Sequence, residues 1–183
     1  MRTITVPTKE QLDKKGQQIL DQLQNEMGMI PNLFATLAYS SNTLENYLAF
    51  SSKAGKDSFS NKELEAIKLA VSEVNGCEYC LAAHTAIAKM NGFTEEEIIQ
   101  LRDGSISNIR LRILSNLAID IAQNKGNASD LTKENFFNAG FTEKELIDFL
   151  AVVVEITFTN YAHNLTQVPV DFPKAKTLSK KTA

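Results

Sequence analysis

The sequence predicts an all-α protein, and two observations carry that prediction. Apolar residues recur at helical spacing along almost the whole chain. No run of alternating apolar and polar residues is bounded by turn signals in the way that a β-hairpin requires. The chain has 183 residues, of which 43% are hydrophobic and 22% charged. These values are close to the average for globular domains, so we expect a single domain over residues 1–183.

The N-terminal part, about residues 8–55, is predicted to form helices that precede the rest of the fold. The first helix is expected from about Thr8 to Met27. Gly28 would end it, since glycine tolerates the left-handed conformation of a helix C-cap. Two further helices follow, and the second of them is expected to be capped by Ser41 or Asn42.

Three later helices are predicted to begin with the same local signal. Each has a Phe, then a Ser or Thr as N-cap, then a Glu at the third helical position, which together form a capping box. The three signals are Phe59-Ser60 with Glu63, Phe93-Thr94 with Glu97, and Phe141-Thr142 with Glu145. Two more helices are expected at about 107–124 and 129–138. These boundaries give a helical hairpin at about 60–91, a second half at about 94–165, and a tail at about 169–183.

A weak internal repeat accompanies the capping boxes. FSNKELEAIKLAVSEVNGCEYC can be laid on FTEKELIDFLAVVVEITFTNYA at an offset of 82 residues. The second copy lacks the polar residues that carry chemistry in the first, because their positions hold Ile147, Thr159, Ala162 and Thr166. We therefore expect any chemistry to belong to the first copy and the second copy to be scaffold.

Charge and hydropathy disfavour two classes of partner. Lys plus Arg number 19 and Asp plus Glu 22, for a net charge of -3, and no dense basic stripe precedes the final Lys174, Lys176, Lys180 and Lys181. Nucleic acid is therefore not expected as a partner. We also expect no membrane span, since no segment approaches about 20 consecutive apolar residues. The first residues lack the apolar centre of a signal peptide, which predicts a cytoplasmic protein.

One group of residues has the composition of a reactive site. Cys77 and Cys80 are the only two cysteines, and His84 is one of only two histidines. Spacings of three, four and seven residues place these side chains on one face of a helix that is expected to begin at Cys77. Glu65, on the preceding helix, completes the pattern Glu65-x11-Cys77-x2-Cys80-x3-His84.

Helix geometry indicates what these groups can do. The N-terminal end of a helix lowers a cysteine pKa from its free value of about 8.5, and Cys77 benefits more than Cys80. His84 lies one turn beyond Cys80, so it can accept a proton from Cys80 more directly. This favours Cys80 as nucleophile and Cys77 as its resolving partner. Glu65 could orient the imidazole if its helix folds back against this one.

Two other interpretations of the cysteine pair remain open. The chain could be a disulfide-exchange or redox-sensing module. It could also be a zinc-stabilised interaction module, although structural zinc prefers four ligands and His163 is the only other histidine. We expect His163 instead to pack or to form a hydrogen bond near the end of the long helix that starts at Thr142.

The same residues resemble a known family. The pattern from Glu65 to His84, in the setting ELEAIKLAVSEVNGCEYCLAAH, is similar to the signature of the AhpD-like branch of the carboxymuconolactone decarboxylase superfamily. The resemblance extends through GMIPNLFATLAYSSNTLENYLAF and FTNYAHNLTQVPVDFP, as in the group labelled peroxidase-related proteins, and so covers most of the chain. The sequence departs from the best-studied members at Tyr79, where they carry another His.

The resemblance implies an AhpD-like helical bundle and a thiol peroxidase without a cofactor or metal. Hydroperoxides would be reduced through a Cys77–Cys80 disulfide, with Glu65 and His84 as a proton relay to Cys80. Cys77 would resolve the sulfenic acid and meet the reductant, for which lipoamide or a thioredoxin-like protein is expected. The departure at Tyr79 implies low activity or an altered relay. The decarboxylase branch lacks the cysteine pair, so its reaction is not expected here.

An apolar set of residues predicts a homo-oligomer, which the resemblance also implies. The residues lie between Pro31 and Phe50, where one small domain has little core to bury them all, and exposed apolar patches usually mark interfaces. They are Leu33, Phe34, Leu37, Tyr39, Leu44, Tyr47 and Phe50.

Overall fold

The computed structural model describes residues 3–178, and within that range the chain is all-α, as the sequence predicts. One short 3-10 helix (Lys9–Gln11) precedes nine α-helices, and the described residues contain no β-strand. The predicted tail has no helix over residues 169–178, and its last five residues lie outside the described range. The α-helices are α1 (Lys14–Met27), α2 (Asn32–Leu37), α3 (Ser41–Ser51), α4 (Asn61–Val74), α5 (Glu78–Met90), α6 (Glu95–Asp103), α7 (Ile109–Gln123), α8 (Asp130–Asn138) and α9 (Glu143–Thr166).

The three predicted capping boxes are confirmed at the starts of α4, α6 and α9. In each, the N-cap hydroxyl accepts a hydrogen bond from the backbone N–H of the third helical residue. The Glu carboxylate in turn accepts a hydrogen bond from the backbone N–H of the N-cap residue. The preceding Phe59, Phe93 and Phe141 are buried. Short-range sequence signals therefore set these three helix starts.

Two predicted boundaries in the N-terminal part are wrong. The first α-helix begins at Lys14, because Thr8 caps only the 3-10 turn and Leu12 is extended. Asp13 is the true N-cap, and its side chain accepts a hydrogen bond of 2.6 Å from Gly16 N. The cap of α3 is Ser40, one residue before the predicted pair.

Helix α4 lies at the centre of the fold and positions the site. It packs against α5, α6, α7 and α9, and Ile67, Ala70 and Val71 are fully buried. From α9, Phe149 and Ile156 pack into the same core. A helix surrounded by four others must hold its polar side chains in buried pairs, since few of them reach water.

The internal repeat diverges at one glycine. In the first copy, Gly76 has φ +62° and ends α4, so that α5 can start in a new direction. The equivalent position in the second copy is Phe158, which stays helical, and α9 continues unbroken to Thr166. Only glycine adopts a positive φ without a steric cost, so this one difference turns a long helix into a hairpin.

Helix α9 has an apolar composition that the sequence analysis underestimated. Among the described residues, α9 is the one helix that is both long enough and apolar enough to cross a membrane, by length and composition alone. This finding corrects the expectation that no segment is sufficiently long and apolar. In the structure, 44% of its apolar window is buried within the protein. A core helix of a globular protein passes the same test, so this finding is weak evidence for a membrane.

Of the seven apolar residues that predicted an oligomer, three are buried, two are half-buried and two are exposed. Leu33, Leu44 and Tyr47 lie in the interior, whereas Tyr39 and Phe50 are exposed. A more continuous exposed apolar surface, here called the α9 stripe, runs along the outer face of α9 at spacings of three and four residues. It consists of Ile147, Leu150, Val154, Phe158, Tyr161 and Leu165.

Candidate active site

The two cysteines lie at the start of α5, as the sequence predicts. Cys77 is the N-cap residue, and its Sγ accepts a hydrogen bond of 3.2 Å from Cys80 N. The two Sγ atoms are 2.6 Å apart, and both cysteines are free and buried. The Cys77 N–H in turn donates to Ser72 O at 3.0 Å, which fixes the turn between α4 and α5. The pair is therefore placed where little movement is needed to form a disulfide.

Glu65 and His84 are brought together by the packing of α4 against α5. His84 Nδ1 lies 2.8 Å from Glu65 Oε2, and the two side chains are 14% and 8% exposed. Because an ionised carboxylate only accepts hydrogen bonds, Nδ1 carries the proton in this contact. In the neutral form of the ring, Nε2 is then the unprotonated nitrogen, which can act as a base.

The cysteine pair shares protons unequally. The hydrogen bond between the two thiols lowers the pKa of Cys77, and backbone N–H groups at the helix start lower it further against the effect of burial. The hydrogen bond with Cys77 raises the pKa of Cys80, and burial raises it further. The first thiolate therefore forms on Cys77, stabilised by the S–H of its neighbour, and the second proton is held tightly.

A cavity of about 550 Å³ gives access to one of the two sulfurs. Cys80 and His84 line it, whereas Cys77 does not and is fully buried. The predicted roles of the two cysteines stay predictions: access favours Cys80 as the attacking sulfur, and ionisation favours Cys77. The apolar part of the wall is formed by Met27, Met29, Pro31, Leu33, Phe34, Ala83, Ala86, Ile87, Met90 and Phe172.

Tyr79, which occupies the position of a family His, connects three parts of the chain. Its hydroxyl accepts a hydrogen bond of 3.2 Å from Leu33 N, and its ring packs against His163 and Phe172. Burial raises the pKa of Tyr79 well above its usual value. A tyrosine held in this way stays protonated, so it orders the cavity wall and cannot replace an imidazole as a base.

His163 forms a hydrogen bond near the end of α9, as expected from the sequence. Its Nε2 donates to Val168 O at 3.1 Å, and the side chain is buried. No group of three or more His, Cys, Asp or Glu side chains among the described residues is arranged to hold a metal ion. The structure therefore adds no support to the zinc interpretation.

Polar residues of α9 near the thiols were missed by the sequence analysis. Asn160 is fully buried, and its Nδ2 donates to Ser72 Oγ at 3.1 Å. Asn160 lowers the pKa of both cysteine thiols, and Thr159 lowers that of Cys80. The signal that could have revealed them is the segment TFTN, which places three polar residues in a largely apolar stretch of α9. Buried polar groups of this kind need hydrogen-bond partners.

A second buried charged cluster was also missed. Tyr47 Oη donates a hydrogen bond of 2.5 Å to Glu155 Oε1, and Lys68 Nζ lies 3.0 Å from Glu155 Oε2. Burial alone would raise the pKa of Glu155, but the Lys68 ammonium holds it below the usual value. Burial, together with the Glu155 charge, raises the pKa of Tyr47. The cluster therefore consists of a carboxylate, an ammonium and a neutral phenol.

Comparison with known proteins identifies a family for the central part of the chain. Residues 42–107, which include Glu65, both cysteines and His84, match the carboxymuconolactone decarboxylase family. The alkyl hydroperoxide reductase AhpD of Hyphomonas neptunium is 41% identical over 54 residues. That alignment spans 29% of this chain and 30% of the relative, so the chain matches less than a third of the relative's length.

Solved structures share the fold over nearly the whole chain. A peroxidase-related protein of Ralstonia eutropha JMP134 with an alkylhydroperoxidase AhpD core has a TM-score of 0.76 at 23% identity, and 87% of each chain is covered. A peroxidase-related protein of Silicibacter sp. TM1040 has a TM-score of 0.75 at 21% identity, with 91% of each chain covered.

A third similar structure has a different activity. It is a variant of the debrominase Bmp8 in complex with 2,3,4-tribromopyrrole, with a TM-score of 0.77 at 13% identity, covering 93% of this chain and 92% of that one. At such low identities these similarities establish the fold alone. The fold therefore carries more than one reaction, and function has to be argued from the site.

Proposed function

We propose, on the premise that this chain belongs to the AhpD-like/carboxymuconolactone decarboxylase superfamily, that it is a thiol peroxidase that reduces hydroperoxides through a Cys77–Cys80 disulfide. One observation carries the proposal. Cys80 and His84 line the same cavity, Glu65 Oε2 lies 2.8 Å from His84 Nδ1, and Cys77 Sγ lies 2.6 Å from Cys80 Sγ. A nucleophile, an acid–base group with its orienting carboxylate, and a resolving thiol are thus assembled in one place.

The first step oxidises Cys80. The cysteine pair gives a proton to His84 Nε2, and the remaining proton moves to Cys77 across the 2.6 Å between the sulfurs. The Cys80 thiolate attacks the terminal peroxide oxygen, so that an S–O bond forms and the O–O bond breaks. His84 returns its proton to the leaving alkoxide, and Glu65 stabilises the imidazolium in the interval.

The second step closes the disulfide. The Cys77 sulfur attacks the Cys80 sulfenic acid, an S–S bond forms, and the hydroxide that leaves takes the Cys77 proton to give water. An external dithiol then reopens the disulfide through a mixed disulfide. We propose lipoamide or a thioredoxin-like protein in the cytoplasm for this role, because such dithiols are kept reduced there.

Peroxide consumption with different dithiols tests this function. Wild-type protein, Cys80→Ser and Cys77→Ser are mixed with an alkyl hydroperoxide and with dihydrolipoamide or reduced thioredoxin. Wild-type protein should turn over many equivalents of peroxide with at least one dithiol. Neither variant should turn over peroxide with any of them. Oxidation of one equivalent without turnover in any dithiol would favour the redox-sensing interpretation instead.

A further inference from the structure

The cluster of Tyr47, Glu155 and Lys68 lies in the same cavity as Cys80, yet the steps above do not use it. Glu155 is 1% exposed and Lys68 is 15% exposed in their side chains. Removing two charges from water is costly, and a buried ion pair is a poor source of stability. Stability therefore does not explain why this pair lies beside the reactive thiols.

The cluster has unused hydrogen-bonding capacity. Lys68 Nζ lies 3.0 Å from Glu155 Oε2, and this contact occupies one of the three N–H donors of the ammonium. Tyr47 is fully engaged with the other carboxylate oxygen. Lys68 therefore keeps N–H donors for a ligand in the cavity, while Glu155 and Tyr47 hold its ammonium in place.

Helix spacing places the cluster beside the reacting groups. Lys68 follows Glu65 by three residues on α4, and residues at this spacing share a face with Cβ atoms about 5–6 Å apart. Glu155 precedes Thr159 by one turn on α9, and both residues line the cavity together with Cys80. Among the described residues that line the cavity, Lys68 is the one lysine or arginine.

We propose that Lys68 is a further catalytic residue, which binds the oxygen that leaves when Cys80 attacks a hydroperoxide, and that Glu155 and Tyr47 are its positioning residues. This inference rests on the proposed peroxidase function. As the O–O bond breaks, the electron pair goes to the alkoxide oxygen, which Lys68 holds until His84 supplies the proton. Lys68 loses no proton, so the step needs no further reactant.

The effect of Lys68 should follow the basicity of the oxygen that leaves. A preorganised cation matters most where charge develops on a strongly basic oxygen in an apolar site. An alkyl hydroperoxide releases an alkoxide of this kind, so its reduction should depend strongly on Lys68. Peroxides whose leaving group is already a weak base, such as the acetate of peroxyacetic acid, should depend little on Lys68.

A comparison of two peroxides tests the role of Lys68. Reduced protein is mixed with tert-butyl hydroperoxide or with peroxyacetic acid, and thiol oxidation is followed by rapid quenching and mass spectrometry. Lys68→Met should slow the reaction with tert-butyl hydroperoxide by about 10²-fold, the size expected for loss of one donor to an oxyanion. The reaction with peroxyacetic acid should change far less. Any effect on thiol ionisation would slow both reactions equally, so the ratio of the two is the readout.

Two further variants serve as controls, one for misfolding caused by an unpaired buried charge and one for the loss of any lysine. Lys68→Met leaves the Glu155 carboxylate unpaired, so a Lys68→Met/Glu155→Gln variant removes both charges and should show the same altered ratio. Lys144→Met removes a surface lysine that pairs with Asp148 and should leave both rates unchanged. Equal slowing with both peroxides, in a variant that remains active, would overturn the role of Lys68 but not the proposed peroxidase function. If wild-type thiols react with neither peroxide, both this inference and the proposed function fall.

Discussion

His84 Nδ1 and Glu65 Oε2 are 2.8 Å apart, although 19 residues separate them in the chain. This contact exists because Gly76 ends α4 and α5 folds back along it, so that a residue early in α4 meets one in the second turn of α5. The carboxylate fixes which ring nitrogen carries the proton and leaves Nε2 to face the reaction.

The charge of Glu65 is expected to matter more than its shape. Glu65→Gln keeps the volume and a hydrogen bond but removes the charge that stabilises the imidazolium, so peroxide turnover should fall by about 10²-fold. Because Glu65 and His84 act as one unit, Glu65→Gln/His84→Asn should be scarcely slower than the slower single variant. Steady-state kinetics checks both points, and an unchanged rate for Glu65→Gln would remove the relay.

The two thiols should ionise in separate steps. Since the pKa of Cys77 is lowered and that of Cys80 is raised, one thiolate forms below the usual cysteine value of about 8.5 and the other only well above it. A pH titration of the thiolate ultraviolet absorbance should therefore give one equivalent in the lower range. Cys77→Ser removes the stabilised thiolate, so the remaining thiol should titrate higher than the first step of the wild type. Two thiolates that appear together near the ordinary value would contradict the sharing of protons.

The turn at Gly76 should be sensitive to a side chain for conformational reasons only. A Cβ at Gly76 would meet no atom within 4 Å, but the φ of +62° strains any residue with a Cβ. Gly76→Ala should lower the free energy of unfolding by about 1 kcal/mol, and Gly76→Asn by less, since Asn tolerates this region better. Chemical denaturation measures both, and equal stability of Gly76→Ala and wild type would refute the constraint.

A homo-oligomer is still our proposal, with the α9 stripe as its interface. Exposed apolar residues at helical spacing on one face are typical of a surface that packs against another helix. Light scattering should give a multiple of the mass of one chain, and Val154→Glu should reduce it. Leu131→Glu is the matched control, since Leu131 is exposed and apolar but lies on α8, outside the stripe. A monomeric wild type at micromolar concentration would rule this proposal out.

The parts of the fold that sequence could predict are those set by near neighbours in the chain. The capping boxes and the face shared by Cys77, Cys80 and His84 depend on residues within two turns of one another. The contacts of Tyr47 with Glu155 span 108 residues, and those of Asn160 with Ser72 span 88. Such contacts depend on how helices pack, which helical periodicity does not determine.

The first α-helix shows the same limit at short range. Thr8 has the right chemistry for an N-cap and does cap a turn, but Leu12 stays extended and Asp13 begins the helix. Two residues with similar capping propensity compete here. Leu12 is buried in the small cluster formed with α1 and α3, and this packing decides between them.

The stoichiometry of a single turnover tests the central claim most directly. Reduced protein is mixed with one equivalent of an alkyl hydroperoxide without any added dithiol, and both the alcohol and the protein mass are measured. We predict one alcohol for each protein that loses two hydrogens, with the disulfide mapped to Cys77 and Cys80 and with a sulfenic acid at Cys80 in the Cys77→Ser variant. A stable sulfinic acid at Cys80 beside a free Cys77, or an intact hydroperoxide with both thiols still reduced, would contradict this account.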